Sequence, residues 1–178
     1  MLTIESLNAD KPLYVFLAIE FAEKVLPIWE GKYPEDMRPR KAIEAAKEWL
    51  SNPSDAAAND AYIAYADAAA VACVTAADAH AAKVAYAAAN AVNAAANAVN
   101  AAHAIAYADD AADAAADAVD ALEADKETFV HEVILENIDW ILQYKIDNGQ
   151  NFAQPELILN YLTEEQKQSF LFNLDAVA

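Results

Sequence analysis

The chain has 178 residues, of which 29 are acidic and 11 are basic, so its formal net charge is −18. This charge repels nucleic acid and anionic membrane surfaces. It indicates either a cationic partner or an acidic surface that keeps an alanine-rich protein in solution. One cysteine excludes an intrachain disulfide, and the first residues lack a signal-peptide pattern, so we expect a cytoplasmic protein with no membrane association.

Five prolines and Gly31 lie within the first 53 residues, and no further proline or glycine occurs until Gly149, which sets this part of the chain apart. We expect bulky N-terminal helices over residues 1–53. Large apolar residues at helical spacing predict a first helix, which Pro27 and Gly31 should end or kink. Pro39 suits the first position of a second helix, whose apolar stripe ends near Ser51.

Alanine dominates residues 54–124 and predicts closely packed central helices, because small side chains let helix axes approach one another. Thr75 opens a pattern similar to a capping box, so a helix should start near Ala76. Two polar stripes follow, formed by Asn90, Asn93, Asn97, Asn100 and His103 and by Asp110, Asp113, Asp117 and Asp120. At about 100° per residue they point to opposite sides. Either the solvent face changes sides or the helix breaks near Tyr107–Asp109, and we favour a break with Asp109 as N-cap.

Large residues return in residues 125–178 and predict C-terminal helices, with Gly149 as a stop. Thr163 and Gln166 form a capping box that should start a last helix. The fold class is therefore all-α, a compact alanine-rich multi-helix bundle. A length of this size is typical of one domain, so we expect a single all-helical domain over residues 1–178.

The motif DDAAD, formed by Asp109, Asp110 and Asp113, has a spacing that can hold magnesium on a diphosphate in prenyl-transferring helical enzymes. No second acidic cluster with phosphate-binding arginines accompanies it, so we interpret it as part of a solvent-facing stripe. The histidines have no partner at metal-ligand spacing, and Cys73 lies in an apolar run. We predict no metal, no cofactor and no enzymatic activity.

The basic cluster Arg38, Arg40 and Lys41 lies where the second helix begins, although cations oppose the helix dipole there. Arg40 can pair with Glu44 one turn later. Arg38 should find a carboxylate elsewhere, either within the fold or on a ligand, and we favour an internal ion pair because acidic residues are abundant.

The sequence RPRKAIEAAKEWL at residues 38–50, followed by the alanine tract and a tryptophan-containing helix, resembles the immunity-five-like group of bacterial immunity proteins. The resemblance implies a protein that binds and neutralises a toxin delivered by competing cells, without catalysis. The negative charge suits a basic toxin domain as partner. The expected contact residues are Asp110, Asp113, Asp117 and Asp120, flanked by Asp109 and Glu123.

A different class of function remains open. The tandem repeat AAANAVN at residues 87–100 could form a symmetric contact between helices of two chains. The alternative is therefore a helical scaffold that assembles into a homo-oligomer.

Overall fold

A computed structural model describes residues 1–54, 63–64, 67, 83, 86–87, 90, 106–122 and 124–168. Their regular elements are all helical, which confirms the all-α prediction. In chain order these elements are η1 (Glu5–Leu7, a 3-10 helix), α1 (Lys11–Lys32), α2 (Arg38–Ser51), α3 (Ala106–Leu122), α4 (Lys126–Glu136), α5 (Ile138–Asp147) and α6 (Pro155–Leu159). Residues 164–168 are helical as well. The chain divides into two compact units, Asp10–Lys126 and Met1–Ala9 with Glu127–Ala178.

Helix α1 is the central element of the first unit, where it packs against both α2 and α3. It starts at an N-cap in which Asp10 Oδ1 accepts a hydrogen bond from the Leu13 N–H. The sequence predicted an end or kink at Pro27 and Gly31. The helix continues through Pro27 and ends at Lys32, one residue after Gly31. Burial of the large side chains around Pro27, among them Trp29, offsets the backbone hydrogen bond that proline cannot make.

Helix α2 lies close to its predicted limits, since it begins at Arg38, one residue before Pro39, and ends at Ser51 as expected. Its buried residues recur at helical spacing and form the stripe Pro39, Ala42, Ile43, Ala46 and Trp49. This stripe faces the interior of the unit, and the charged residues of α2 are left on its outer side.

Helix α3 already includes residues 106–109, so the predicted break near Tyr107–Asp109 is wrong and Asp109 is not an N-cap. The alanines on both sides of Asp109 favour helix strongly enough to carry it through this position. Further along, Ala114 and Ala118 are fully buried one turn apart. The predicted helix start near Ala76 lies outside the described residues.

The second unit contains the first nine residues, α4 from Glu127 onwards, α5 and α6. Gly149 adopts a left-handed φ of 59° just after α5, which confirms it as the stop. The buried Lys145 side chain donates to Asn8 O at 2.6 Å and to Gln150 Oε1 at 3.0 Å, so the N-terminal segment is bonded to this unit.

The predicted capping box is confirmed within the second unit. The Thr163 N–H donates to Gln166 Oε1 at 2.7 Å, and the Gln166 N–H donates to Thr163 Oγ1 at 3.2 Å. In the part of the chain described by the structure, none of the helices combines the length and the apolar character needed to cross a bilayer.

Candidate partner-binding surface

The predicted acidic stripe follows one side of α3. Asp113 and Asp120 are exposed, whereas Asp117 between them is half-buried. These positions are separated by four and three residues, so their side chains share one face of the helix. The side chains of Asp109 and Asp110 lie outside the described part of the structure, as does the whole of Glu123.

A lysine that was not predicted as a site residue, Lys83, reaches this stripe from the alanine-rich part of the chain, where positions 83, 86, 87 and 90 are described as helical. Lys83 Nζ donates to Asp117 Oδ1 at 3.0 Å and lies 3.3 Å from Asp120 Oδ2. Asn90 Nδ2 donates to Asp117 Oδ2 at 3.0 Å. Both carboxylate oxygens of Asp117 therefore accept hydrogen bonds from within the chain. Asp117 is less accessible to a partner than Asp113 and Asp120 are.

The signal for this contact was present in the sequence, since Lys83 is the one lysine or arginine within residues 54–124. It lies seven residues before Asn90, so the two side chains occupy the same face two helical turns apart. Ala87 lies between them and is fully buried. Lys83 and Asn90, of which only Asn90 belongs to the first stripe, thus both reach Asp117 of the second stripe.

Burial is the main cause that raises the pKa of the Asp117 carboxyl, and the charges of Asp113 and Asp120 add to this effect. The hydrogen bond and charge of Lys83 oppose it. The hydrogen bond to Asp117 is in turn the main cause that raises the pKa of Lys83. Three carboxylates and one ammonium leave this face with a formal charge of −2, and Asp113 is the carboxylate that Lys83 is not shown to approach.

The two arginines at the start of α2 form ion pairs within the chain. Arg38 Nε donates to Asp36 Oδ1 at 2.9 Å and its Nη2 donates to Asp36 Oδ2 at 2.6 Å, a bidentate arrangement. This hydrogen bonding is the main cause that lowers the pKa of the Asp36 carboxyl. Arg40 pairs with Glu30 of α1, whereas the sequence pointed to Glu44.

A shallow groove of about 180 Å³ lies beside Arg38. It is lined by Arg38, Lys41, Ile63, Ala64 and Asp67. The charge of Asp67 acts on Arg38, and Asp36 pairs with it. Because cations and carboxylates are balanced around the groove, it offers no field of a single sign to a charged ligand.

Among the residues that the structure describes, no three histidine, cysteine, aspartate or glutamate side chains are grouped so that they could hold a metal ion. His131 has a structural contact, because its Nδ1 accepts a hydrogen bond from the Leu2 N–H at 3.1 Å. His80, His103 and Cys73 lie outside the described residues.

A family model described as Imm-5 like putative immunity protein matches residues 8–135, which include α1, α2 and α3 and nearly all of α4. No curated protein and no solved structure matches the chain. The family match thus covers the acidic face of α3 and ends before α5 begins.

Proposed function

The chain belongs to the Imm-5 like putative immunity protein family, and we propose that it binds and neutralises a cognate bacterial toxin without catalysing a reaction. We assign this activity to the cytoplasm of the cell that makes the protein. The partner is a toxin domain with a basic surface, because a protein with a net charge of −18 associates fastest with a cationic partner.

The acidic face of α3, defined as Asp113, Asp117 and Asp120, is the contact surface in this proposal. The observation that carries it is the exposure of Asp113 and Asp120 on either side of the anchored Asp117. A carboxylate pair on a rigid helix keeps its geometry before binding, so little conformational entropy is lost when cationic side chains pair with it. Asp109, Asp110 and Glu123 extend the same surface in the proposal.

The first experiment tests neutralisation itself. Immunity genes usually lie beside the gene of the toxin that they silence, so the product of the adjacent gene is expressed in a host with and without this chain. We expect growth arrest by the neighbouring protein alone, rescue by coexpression, and a complex of the two purified proteins in size-exclusion chromatography. Absence of both rescue and complex would reject the proposed function.

The second experiment tests the surface with variants of equal charge. The double variant Asp113→Asn/Asp120→Asn keeps Asp117 and its contacts, and it removes two charges from α3. The control Glu35→Gln/Glu44→Gln removes two exposed carboxylates elsewhere in the same unit. At low ionic strength we expect the α3 variant to associate with the toxin about three- to tenfold more slowly than the control. Equal rates for the two variants would reject this surface.

Self-association is the alternative, and light scattering distinguishes it from toxin binding. Ala87, Ala114 and Ala118 are each fully buried within the single chain, so these alanines already pack inside the protein. Most of the AAANAVN repeat lies outside the described residues. A monomer in solution that captures the neighbouring protein supports immunity, whereas a stable homo-oligomer without such capture supports a scaffold.

A further inference from the structure

Helix α5 presents an aromatic pair at the surface of the second unit. Trp140 and Tyr144 stack with ring centroids 5.2 Å apart and planes inclined by 9°. Trp140 keeps 39% of its surface exposed, whereas the other two tryptophans of the chain, Trp29 and Trp49, are 1% and 3% exposed. An indole held in a fixed orientation at the surface is the side chain most enriched at energetically important positions of protein interfaces.

One carboxylate lies one helical turn before this aromatic pair and another lies one turn after it. Asp147 lies one turn after Tyr144, and its Oδ1 accepts a hydrogen bond from Gln143 Nε2 at 2.7 Å. Glu136 lies one turn before Trp140, at the end of α4, and both of these acidic residues are exposed. The hydrogen bond from the Ile141 N–H to Asn137 O, at 3.0 Å, continues the helical path across the junction between α4 and α5.

The only cationic side chain on α5 does not lie on the surface with these aromatic and acidic residues. Lys145 is fully buried and donates to Asn8 O and Gln150 Oε1 inside the unit. A third exposed carboxylate, Asp139, accepts a hydrogen bond from Gln166 Nε2. The exposed side of α5 therefore combines an electron-rich aromatic face with negative charge and carries no cation of its own.

We propose that Trp140, Tyr144, Glu136 and Asp147, which we call the α5 aromatic face, bind an arginine or lysine side chain of a partner protein. The cation would lie over the exposed face of the indole, where the ring quadrupole attracts it, while a flanking carboxylate supplies the counter-charge. A guanidinium group fits better than an ammonium group, because it is planar and more weakly hydrated.

This surface is independent of the acidic face of α3. The family match ends at residue 135, so α5 lies outside the part of the chain that defines the family. A contact outside that part can add to the difference in affinity between one cationic partner and another, and this difference is what sets specificity. The α5 aromatic face would thus contribute to which cationic partner is bound.

The test uses a defined probe, the capped and fluorescein-labelled pentapeptide Gly-Arg-Gly-Arg-Gly, whose affinity for the full chain is measured by fluorescence anisotropy. Trp140→Ala should weaken binding about two- to fivefold, the range expected for loss of one cation–π contact at an exposed site. Trp140→Phe should recover part of the affinity, because it restores an aromatic face. Met37→Ala is the matched control, since Met37 is 43% exposed and apolar, and it should bind as the wild type does.

A second readout locates the peptide on the wild-type protein. Because Trp140 is the one tryptophan with substantial exposure, collisional quenching by acrylamide reports mainly on this residue. The arginine peptide should protect the indole from quenching, and the peptide with glutamine in place of arginine should not. Equal affinity of Trp140→Ala and the wild type, or unchanged quenching, would overturn the proposal.

Two further outcomes are decisive. Loss of peptide binding only in Asp113→Asn/Asp120→Asn would place the cation on α3 and overturn the α5 proposal. A concentration-dependent dimer that disappears in Trp140→Ala would show that a second copy of the chain occupies this face, and would overturn it as well. Neither measurement requires the toxin, so failure here is distinguishable from failure of neutralisation.

Discussion

Lys83 Nζ and Asp117 Oδ1 lie 3.0 Å apart although the two residues are separated by 34 positions in the chain. This ion pair connects α3 to a helical position in the alanine-rich part of the chain, whose sequence has few large side chains to fix the packing. The same lysine approaches Asp120, so a single cation controls the charge of the proposed binding face. Its structural role and its electrostatic role can be separated by experiment.

Replacement of Lys83 by methionine keeps the length of the side chain and removes its charge. Asp117, whose side chain is 15% exposed, would lose its ammonium partner, so we expect the free energy of unfolding to fall by about 1–2 kcal/mol. Urea denaturation followed by circular dichroism measures this change. Lys47→Met is the matched control, because the Lys47–Glu23 pair is exposed and should contribute less than about 0.5 kcal/mol. Equal losses in the two variants would contradict the special role of Lys83.

Asp117 should make a pH-dependent contribution to stability of a particular sign. Its pKa is raised in the folded protein, mainly by burial, above the ordinary value of 3.8. At pH values between the ordinary pKa and the raised pKa, the Asp117 carboxyl is protonated more in the folded state than in the unfolded state. Its contribution to the free energy of unfolding therefore increases as pH falls through this range. The difference in unfolding free energy between wild type and Asp117→Asn should therefore shift in favour of the wild type from neutral pH towards pH 4.

Urea titrations of both proteins at several pH values measure that difference. Asp36 provides an internal comparison of opposite sign, because pairing with Arg38 lowers its pKa, and stability from this pair is lost as pH falls. If the wild type instead loses stability relative to Asp117→Asn on acidification, the buried environment of Asp117 is not its dominant influence.

The buried Lys145 should contribute more to the stability of the second unit than an exposed lysine does. Lys145→Ala removes the donor to Asn8 O and to Gln150, and it leaves a cavity at a fully buried position. We expect a loss of about 2–4 kcal/mol, together with faster amide hydrogen exchange in residues 1–9. Lys167→Ala is the control, because Lys167 pairs with the exposed Glu164 one turn away, and it should cost less than about 0.5 kcal/mol.

Local signals in the sequence predicted several features of the fold. The end of α2 near Ser51, the stop at Gly149 and the capping box of Thr163 and Gln166 each depend on residues a few positions apart, and the structure confirms them. The family resemblance, which depended on residues 38–50, is also confirmed. Such features are predictable because the interacting groups are fixed by backbone geometry within one or two turns.

Features that depend on distant residues could not be predicted in the same way. Arg40 could reach Glu44 on its own helix, but its partner Glu30 comes from α1, and nothing local distinguishes the two carboxylates. In the alanine tract, no hydrophobic periodicity distinguishes a buried helix face from an exposed one, because nearly all side chains are of one size. The pairing of Lys83 with Asp117 could therefore not be predicted from the sequence pattern. The break predicted near Asp109 depended on the preference of aspartate for the N-cap position, and the helix-forming tendency of the surrounding alanines outweighs that preference. The single domain over residues 1–178 stays a prediction.

Two buried tryptophans in the first unit offer a final comparison, because their indole N–H groups have different surroundings. Trp29 Nε1 donates to Asp36 O at 2.8 Å, whereas Trp49 Nε1 is buried and has no hydrogen-bond partner among the residues described. Substitution by phenylalanine removes a similar volume at both sites, but only Trp29→Phe leaves a carbonyl without its donor. We therefore expect Trp29→Phe to destabilise the protein by about 1 kcal/mol more than Trp49→Phe, as measured by urea denaturation. Equal losses would mean that the Trp49 N–H is satisfied in solution by a group outside the described residues or by water.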